Sequence, residues 1–152
     1  MQDALKKEFT LRITQANRSE LIVIIYEMCL AYLKDAIEGT DRAENITRAR
    51  ACVDELKESL NFEYELSADL LHFYIQVNKL FMQAAAGGRT EPLVEAESAM
   101  GRMRDAFVEI SKEDDSKPLL HNAQEVYAGY TYGKNDVNVS IGAGQTERGF
   151  RA

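Results

Sequence analysis

Two cysteines, two histidines, no excess of positive charge and no apolar run of bilayer length set the first limits on this chain. Cys29 and Cys52 stand apart with no CxxC pattern, which gives no support to a thiol metal site or a redox pair. Both read as small buried hydrophobes of a reducing compartment. Two histidines on these elements cannot assemble a nucleophilic triad with a serine or a cysteine. The formal net charge of −7 argues against general binding to nucleic acid or to anionic membranes. The longest apolar run, Leu21 to Leu33, is well short of the ~20 residues that span a bilayer, and no signal-peptide pattern precedes it. These absences predict a cytoplasmic, non-enzymatic protein with no cofactor, no metal and no direct membrane insertion. Its 152 residues suffice for one domain with a real core.

That apolar run is also the chain's most informative stretch. Asn17 stands before it as a good N-cap, and Glu20 sits where a capping-box carboxylate reaches back. No Gly or Pro interrupts it, so a helix over 18–38 follows, with Gly39 suited to the position just past its end. Glu27 is the only charge between Leu21 and Leu33. On a helical wheel apolar side chains cover roughly 260° of the circumference, far beyond an ordinary core stripe. Ile22, Ile25, Cys29, Leu33 and Ala36 lie at the centre of the arc. Val23, Tyr26, Leu30 and Ile37 form one shoulder, Ile24 and Met28 the other. Such a helix needs cover on three sides.

Upstream, Leu5, Phe9 and Ile13 recur every four residues and predict a short helix that needs docking to persist. Their spacing suits a lid lying across a shoulder of the long helix. Downstream, Asp41 with Glu44 signals a second start, and the helix over 42–60 carries one ordinary stripe, Ile46, Ala49, Val53, Leu56 and Leu60. A third helix over 66–86 has the central stripe Leu66, Leu70, Phe73, Val77, Phe81 and Ala84. Beyond it Leu71, Ile75 and Met82 make a second apolar row, with Asn78 its one polar member. Thr90 is the expected cap of a fourth helix, with Pro92 in its first turn and the stripe Leu93, Ala96, Met100, Met103, Phe107 and Ile110.

Four helices of about 20 residues with short connections predict an all-α, antiparallel up-down four-helix bundle over 1–112. The first and third long helices are then diagonal, and their wide apolar faces open to opposite sides. Those shoulders are the expected partner-binding residues: Val23, Tyr26, Leu30 and Ile37 on one helix, Leu71, Ile75, Asn78 and Met82 on the other. An over-hydrophobic core or a homodimer interface is the alternative. From Glu113 the composition changes, and residues 113–152 read as a flexible tail punctuated by glycines. Val126, Tyr127, Tyr130 and Tyr132 make it more aromatic than a solubilising tail requires.

Signals for chemistry are weak. Asp69-x-x-His72 is half of a di-metal helix motif, but His72 falls on the polar strip and His121 has no acid cluster. Gly129 to Asn135 echoes a phosphate loop, with one residue too few and no Ser or Thr after Lys134.

Four blocks in order resemble the FliS family, the bacterial flagellin-specific export chaperones. The first is Gln15 to Leu21 followed by Ile25-Tyr26-Glu27-Met28-Cys29-Leu30. The second comprises Ile46, Arg48-Ala49-Arg50, Glu55-Leu56 and Leu60-Asn61. Glu65-Leu66-Ser67-Ala68, Tyr74 and Gln83-Ala84-Ala85 form the third, and Met103-Arg104-Asp105-Ala106-Phe107 the fourth. The family's Pro is Arg18 here, and its Tyr-Asp-Tyr is Tyr74-Ile75-Gln76. The resemblance covers residues 9–111. It implies a bundle that binds the disordered C-terminal segment of flagellin in the cytosol, blocks its premature polymerisation and delivers it to the flagellar export gate.

Overall fold

A computed structural model describes residues 1–119. Among them are five helices and no strand: α1 (Asp3–Gln15), α2 (Arg18–Ile37), α3 (Arg42–Glu58), α4 (Leu66–Gly87) and α5 (Glu91–Lys112). The aromatic tail residues Val126, Tyr127, Tyr130 and Tyr132 lie outside the described residues, as does His121.

Local chemistry accounts for most of the boundaries. Asn17 and Glu20 form the full capping box of α2: the Asn17 side chain accepts from the Glu20 N–H at 2.9 Å, and Glu20 Oε1 accepts from the Asn17 N–H at 3.0 Å. Gly39, with φ at +88°, turns the chain out of α2, and Gly88 at +70° ends α4. Two expected caps are absent. Asp41 is itself in the left-handed region and caps nothing, while its expected partner Glu44 pairs with Arg48 one turn along. Thr90 makes no side-chain cap either, although Pro92 does occupy the first turn of α5.

α2 packs on α3 and α5, and α4 packs on the same two, so α2 and α4 face each other across the core. α1 lies outside this ring, docked on α2 alone. The core is built from Cys29, Leu33 and Ala36 of α2, Ala49, Val53 and Leu56 of α3, Val77 and Phe81 of α4, and Leu93, Ala96 and Met100 of α5. Both cysteines are buried free thiols, and desolvation pushes Cys52 up to about 12.

The expected core directions need one correction on each of the diagonal helices. Val23 and Tyr26, expected on an open shoulder of α2, are buried, while Ile22 and Ile25 are only partly so. On α4, Tyr74 is buried, Phe73 is half-buried and Leu66 is exposed. The two displaced tyrosines explain each other. Their hydroxyls meet at 2.7 Å across the core, and the Tyr26 ring stacks on Phe107 with centroids 5.4 Å apart. Each phenol provides the partner that the other needs once buried. Desolvation raises the pKa of both, so the pair stays neutral and hydrogen-bonded at ordinary pH.

After α5 the chain turns back as a strap rather than leaving the bundle. Asn17 Nδ2 donates to the carbonyls of Asp114 and Ser116, both at 3.2 Å, and the Leu119 N–H donates to the Ala16 carbonyl at 3.0 Å. Asp114 accepts from the Ser116 hydroxyl and, at 2.6 Å, from that of Ser19. Those two hydroxyls, with the Ser116 N–H, hold its carboxyl down at about 2.

Two outcomes follow from these contacts. Tyr26→Phe and Tyr74→Phe should each lower stability in urea unfolding, by about 1–3 kcal/mol where a buried hydroxyl loses its partner. The double variant should lose clearly less than the sum, and strict additivity would show that the two hydroxyls do not interact. For Asp114 the folded value lies below the ordinary 3.8, so the strap's anchoring is fully present above about 4 and is lost as pH falls through about 2. An NMR titration of Asp114 with its midpoint at the ordinary carboxylate value would contradict the anchoring by Ser19 and Ser116.

Candidate functional site

The cover that α2 requires comes from the fold itself. α3 and α5 take two sides, and α1 takes the third. Phe9 and Ala16 are buried against Ile24, with Leu5, Ile13, Leu21, Met28 and Ala31 packed around them. The one charge in the apolar run is also engaged: Glu27 pairs with Arg12 of α1 at 2.7 Å and lies 3.9 Å from Arg104 of α5. Partly exposed ion pairs of this kind contribute about 0–1 kcal/mol, so they align α1 more than they stabilise it. Leu30 and Ile37 remain partly buried along α2, packed against the main core. Of the expected α2 residues, Val23 and Tyr26 therefore present no surface to a partner.

α4 differs. Its inward face packs between α3 and α5, and no further helix among the described residues crosses its outer side. Leu71 is half-buried, Ile75 is 39% exposed and Met82 55% exposed. Successive spacings of four and seven residues place all three on one strip of the helix. Asn78 sits among them with its Nδ2 donating to Asp54 of α3 at 3.2 Å, and Asp54 also pairs with Lys57 at 3.3 Å. The oxygen of this amide, Asn78 Oδ1, is buried with no hydrogen-bond partner among the described residues. The four expected α4 residues are thus together, an apolar strip edged by a polar line from α3.

A second surface, a concave one, has no counterpart in the sequence expectations. At the end of the bundle where α2 begins and α3 finishes, a cleft of about 410 Å³ opens between Ile22, Leu60, Leu70, Tyr74 and Phe107. Arg18 lies in its wall, with its guanidinium donating to the Ser59 carbonyl at 2.8 Å. The connection from α3 to α4 holds Phe62 and Tyr64, 61% and 67% exposed. Leu66 and Ile110 are exposed close by in sequence to the cleft-lining residues. The signal was present in sequence as two aromatics in a polar connection. Only the folded chain brings that connection beside the end of α5, where the stripe Met103, Phe107, Ile110 runs out of core to face.

The chemistry these surfaces offer is apolar contact with a few directed hydrogen bonds. Among the described residues no group of three or more His, Cys, Asp and Glu could hold a metal ion. Asp69 and His72 are exposed on α4, and Asn45 is buried with its amide donating to the Thr40 carbonyl at 2.8 Å. No helix among the described residues is long and apolar enough to cross a membrane.

Comparison with known proteins converges on one family. The family model described as flagellar protein FliS matches residues 1–114. The flagellar secretion chaperone FliS of Bacillus subtilis (strain 168) is 31% identical over 101 residues, covering 62% of this chain and 76% of the relative. The family match ends at Asp114, inside the strap.

Proposed function

The chain belongs to the FliS family of flagellar proteins, and from that premise we propose that it is a flagellar secretion chaperone whose cargo is the C-terminal segment of flagellin. The observation that carries this reading is the strip Leu71, Ile75 and Met82 on α4, over which no helix of the described residues passes. An amphipathic helix laid in a groove reads such a strip through anchors at three- and four-residue spacing. A cargo segment disordered before assembly folds onto the surface as it binds, so it can wrap a large area.

The α2 side supports the same reading. α1 already shows that the face of Ile24 and Met28 accepts an amphipathic helix. In the proposed cycle Leu5, Phe9 and Ile13 act as a lid that a flagellin helix replaces, with Leu30 and Ile37 bordering the exchanged surface. Because α2 and α4 are diagonal, a cargo that uses both has to pass around the bundle. The up-down antiparallel path of α2 to α5 gives the rigid frame for that wrapping. Covering the flagellin segment in the cytosol blocks polymerisation, and keeping it unassembled suits delivery to the export gate. The net charge of −7 is consistent with a protein partner rather than nucleic acid. A homodimer built on the α4 strip is the competing use of the same exposed residues.

Three measurements decide among these. Ile75→Asp with Met82→Asp should weaken binding to a flagellin C-terminal peptide by ~1.5–3 kcal/mol for each side chain buried in the complex. Helical content should be retained, since both residues are exposed. A mass that rises with concentration, together with no peptide binding, would favour the dimer and sink the chaperone reading. Phe9→Ala should loosen α1 and tighten the apparent affinity for the peptide, because a lid in cis reduces the binding-competent fraction. Unchanged affinity would remove the lid.

A further inference from the structure

The end cleft has a largely apolar lining with Tyr64 at its rim and no helix over it among the described residues, and the strap brings a further stretch of chain to its edge. Leu119 is bonded to Ala16, two positions before Arg18 in the cleft wall. Thirty-three residues follow, and they lie beyond the part of the chain that the family model matches. We propose that residues 120–132 of this same chain bind in the cleft, seating a tyrosine of the segment against Leu60, Tyr74 and Phe107.

Composition favours this stretch. It holds three of the chain's seven tyrosines, with Leu120 and Val126, and its only formal charge is Glu125. Burying it therefore desolvates almost no charge, whereas 133–152 carries Lys134, Asp136, Glu147, Arg148 and Arg151. Reach is ample. Extended chain covers about 3.3 Å per residue, and packed helices stand about 8–10 Å apart, so the eight residues to Tyr127 can cross the bundle end. The cleft suits a phenol at both ends of the ring. Ile22, Leu60, Leu70 and Phe107 of its lining offer apolar contact, while Arg18 offers a cation for the ring face and donors for the hydroxyl. Attachment through a few residues gives an effective concentration in the millimolar range, so the tethered segment outcompetes the same segment of a second copy. The tail thereby acts as a built-in occupant of the cleft, a surface separate from the α4 strip.

The test uses the full chain without flagellin, so its failure leaves the chaperone reading standing. Photo-reactive benzoylphenylalanine is placed at Tyr130, and the cross-links are mapped by mass spectrometry. The expected result is cross-linking within one chain to the stretch from Ser59 to Tyr74 or to Phe107, with a yield independent of protein concentration. Tyr64→Glu, at an exposed rim position that leaves the core untouched, should cut that yield several-fold. Cross-links to α1 or to the outer side of α4, cross-links only between chains, no cross-links, or a yield unmoved by Tyr64→Glu would each overturn the proposal.

Discussion

A helix that is apolar around most of its circumference constrains everything placed beside it. α2 cannot leave Ile24 and Met28 in water while Cys29, Leu33 and Ala36 face the core, so it takes three neighbours instead of two. α3 and α5 fill the core-facing sides, and α1 is drawn to the remaining one. α4 packs on the same two helices and, among the described residues, receives no third. The residual apolar surface of the bundle is therefore concentrated on α4 and at the open end beside Phe107, not on α2. The strip Leu71, Ile75, Met82 is what remains when α2 has taken the available cover.

The same constraint explains the Tyr26–Tyr74 pair. Helices on the diagonal are too far apart for close backbone contact, so long side chains have to close the gap between them. Two phenols do this with one hydrogen bond at 2.7 Å, and Phe107 from α5 packs on one ring. A directed bond in an apolar core favours one register of α2 against α4, since a shift of one residue would leave two buried hydroxyls without partners. Hydropathy periodicity has no access to this. On a wheel Phe73 and Tyr74 are about 100° apart, and the more apolar residue is the natural choice for the core. The partner that reverses the choice is 48 positions away in the chain.

Elsewhere the sequence was legible where the cause is local. The capping box at Asn17 and Glu20, the left-handed Gly39 and the ends of the four long helices depend on neighbours in the chain. The caps expected at Asp41 and Thr90 failed because the backbone at each takes a conformation that does not aim the side chain at the helix, left-handed at Asp41 and already helical at Thr90. For the candidate site, the α4 strip was legible as apolar residues in excess of one stripe. The excess on α2 looked alike but had a different fate, because a wheel does not say that α1 will cover Ile24 or that Tyr74 and Phe107 will close over Tyr26. The end cleft was illegible, being made from four helix ends and a connection that only tertiary packing brings together.

One side chain joins these parts. Asn17 uses its oxygen to cap α2 through the Glu20 N–H and its nitrogen to hold the strap through the Asp114 and Ser116 carbonyls. The first turn of α2 is therefore capped by Asn17, whose side chain the strap holds in place, with nothing taken from the side chains of α1. Lifting α1 away would sacrifice the apolar contacts of Phe9, Leu5 and Ile13 and the Arg12–Glu27 pair, but it would not uncap α2. Because helix ends fray where their backbone groups lose partners, that independence matters. A cover that can leave without unravelling the helix beneath it is a physical requirement for any surface meant to be exchanged between an internal occupant and a partner. The placement of Asn17 between the capping box and the strap meets that requirement.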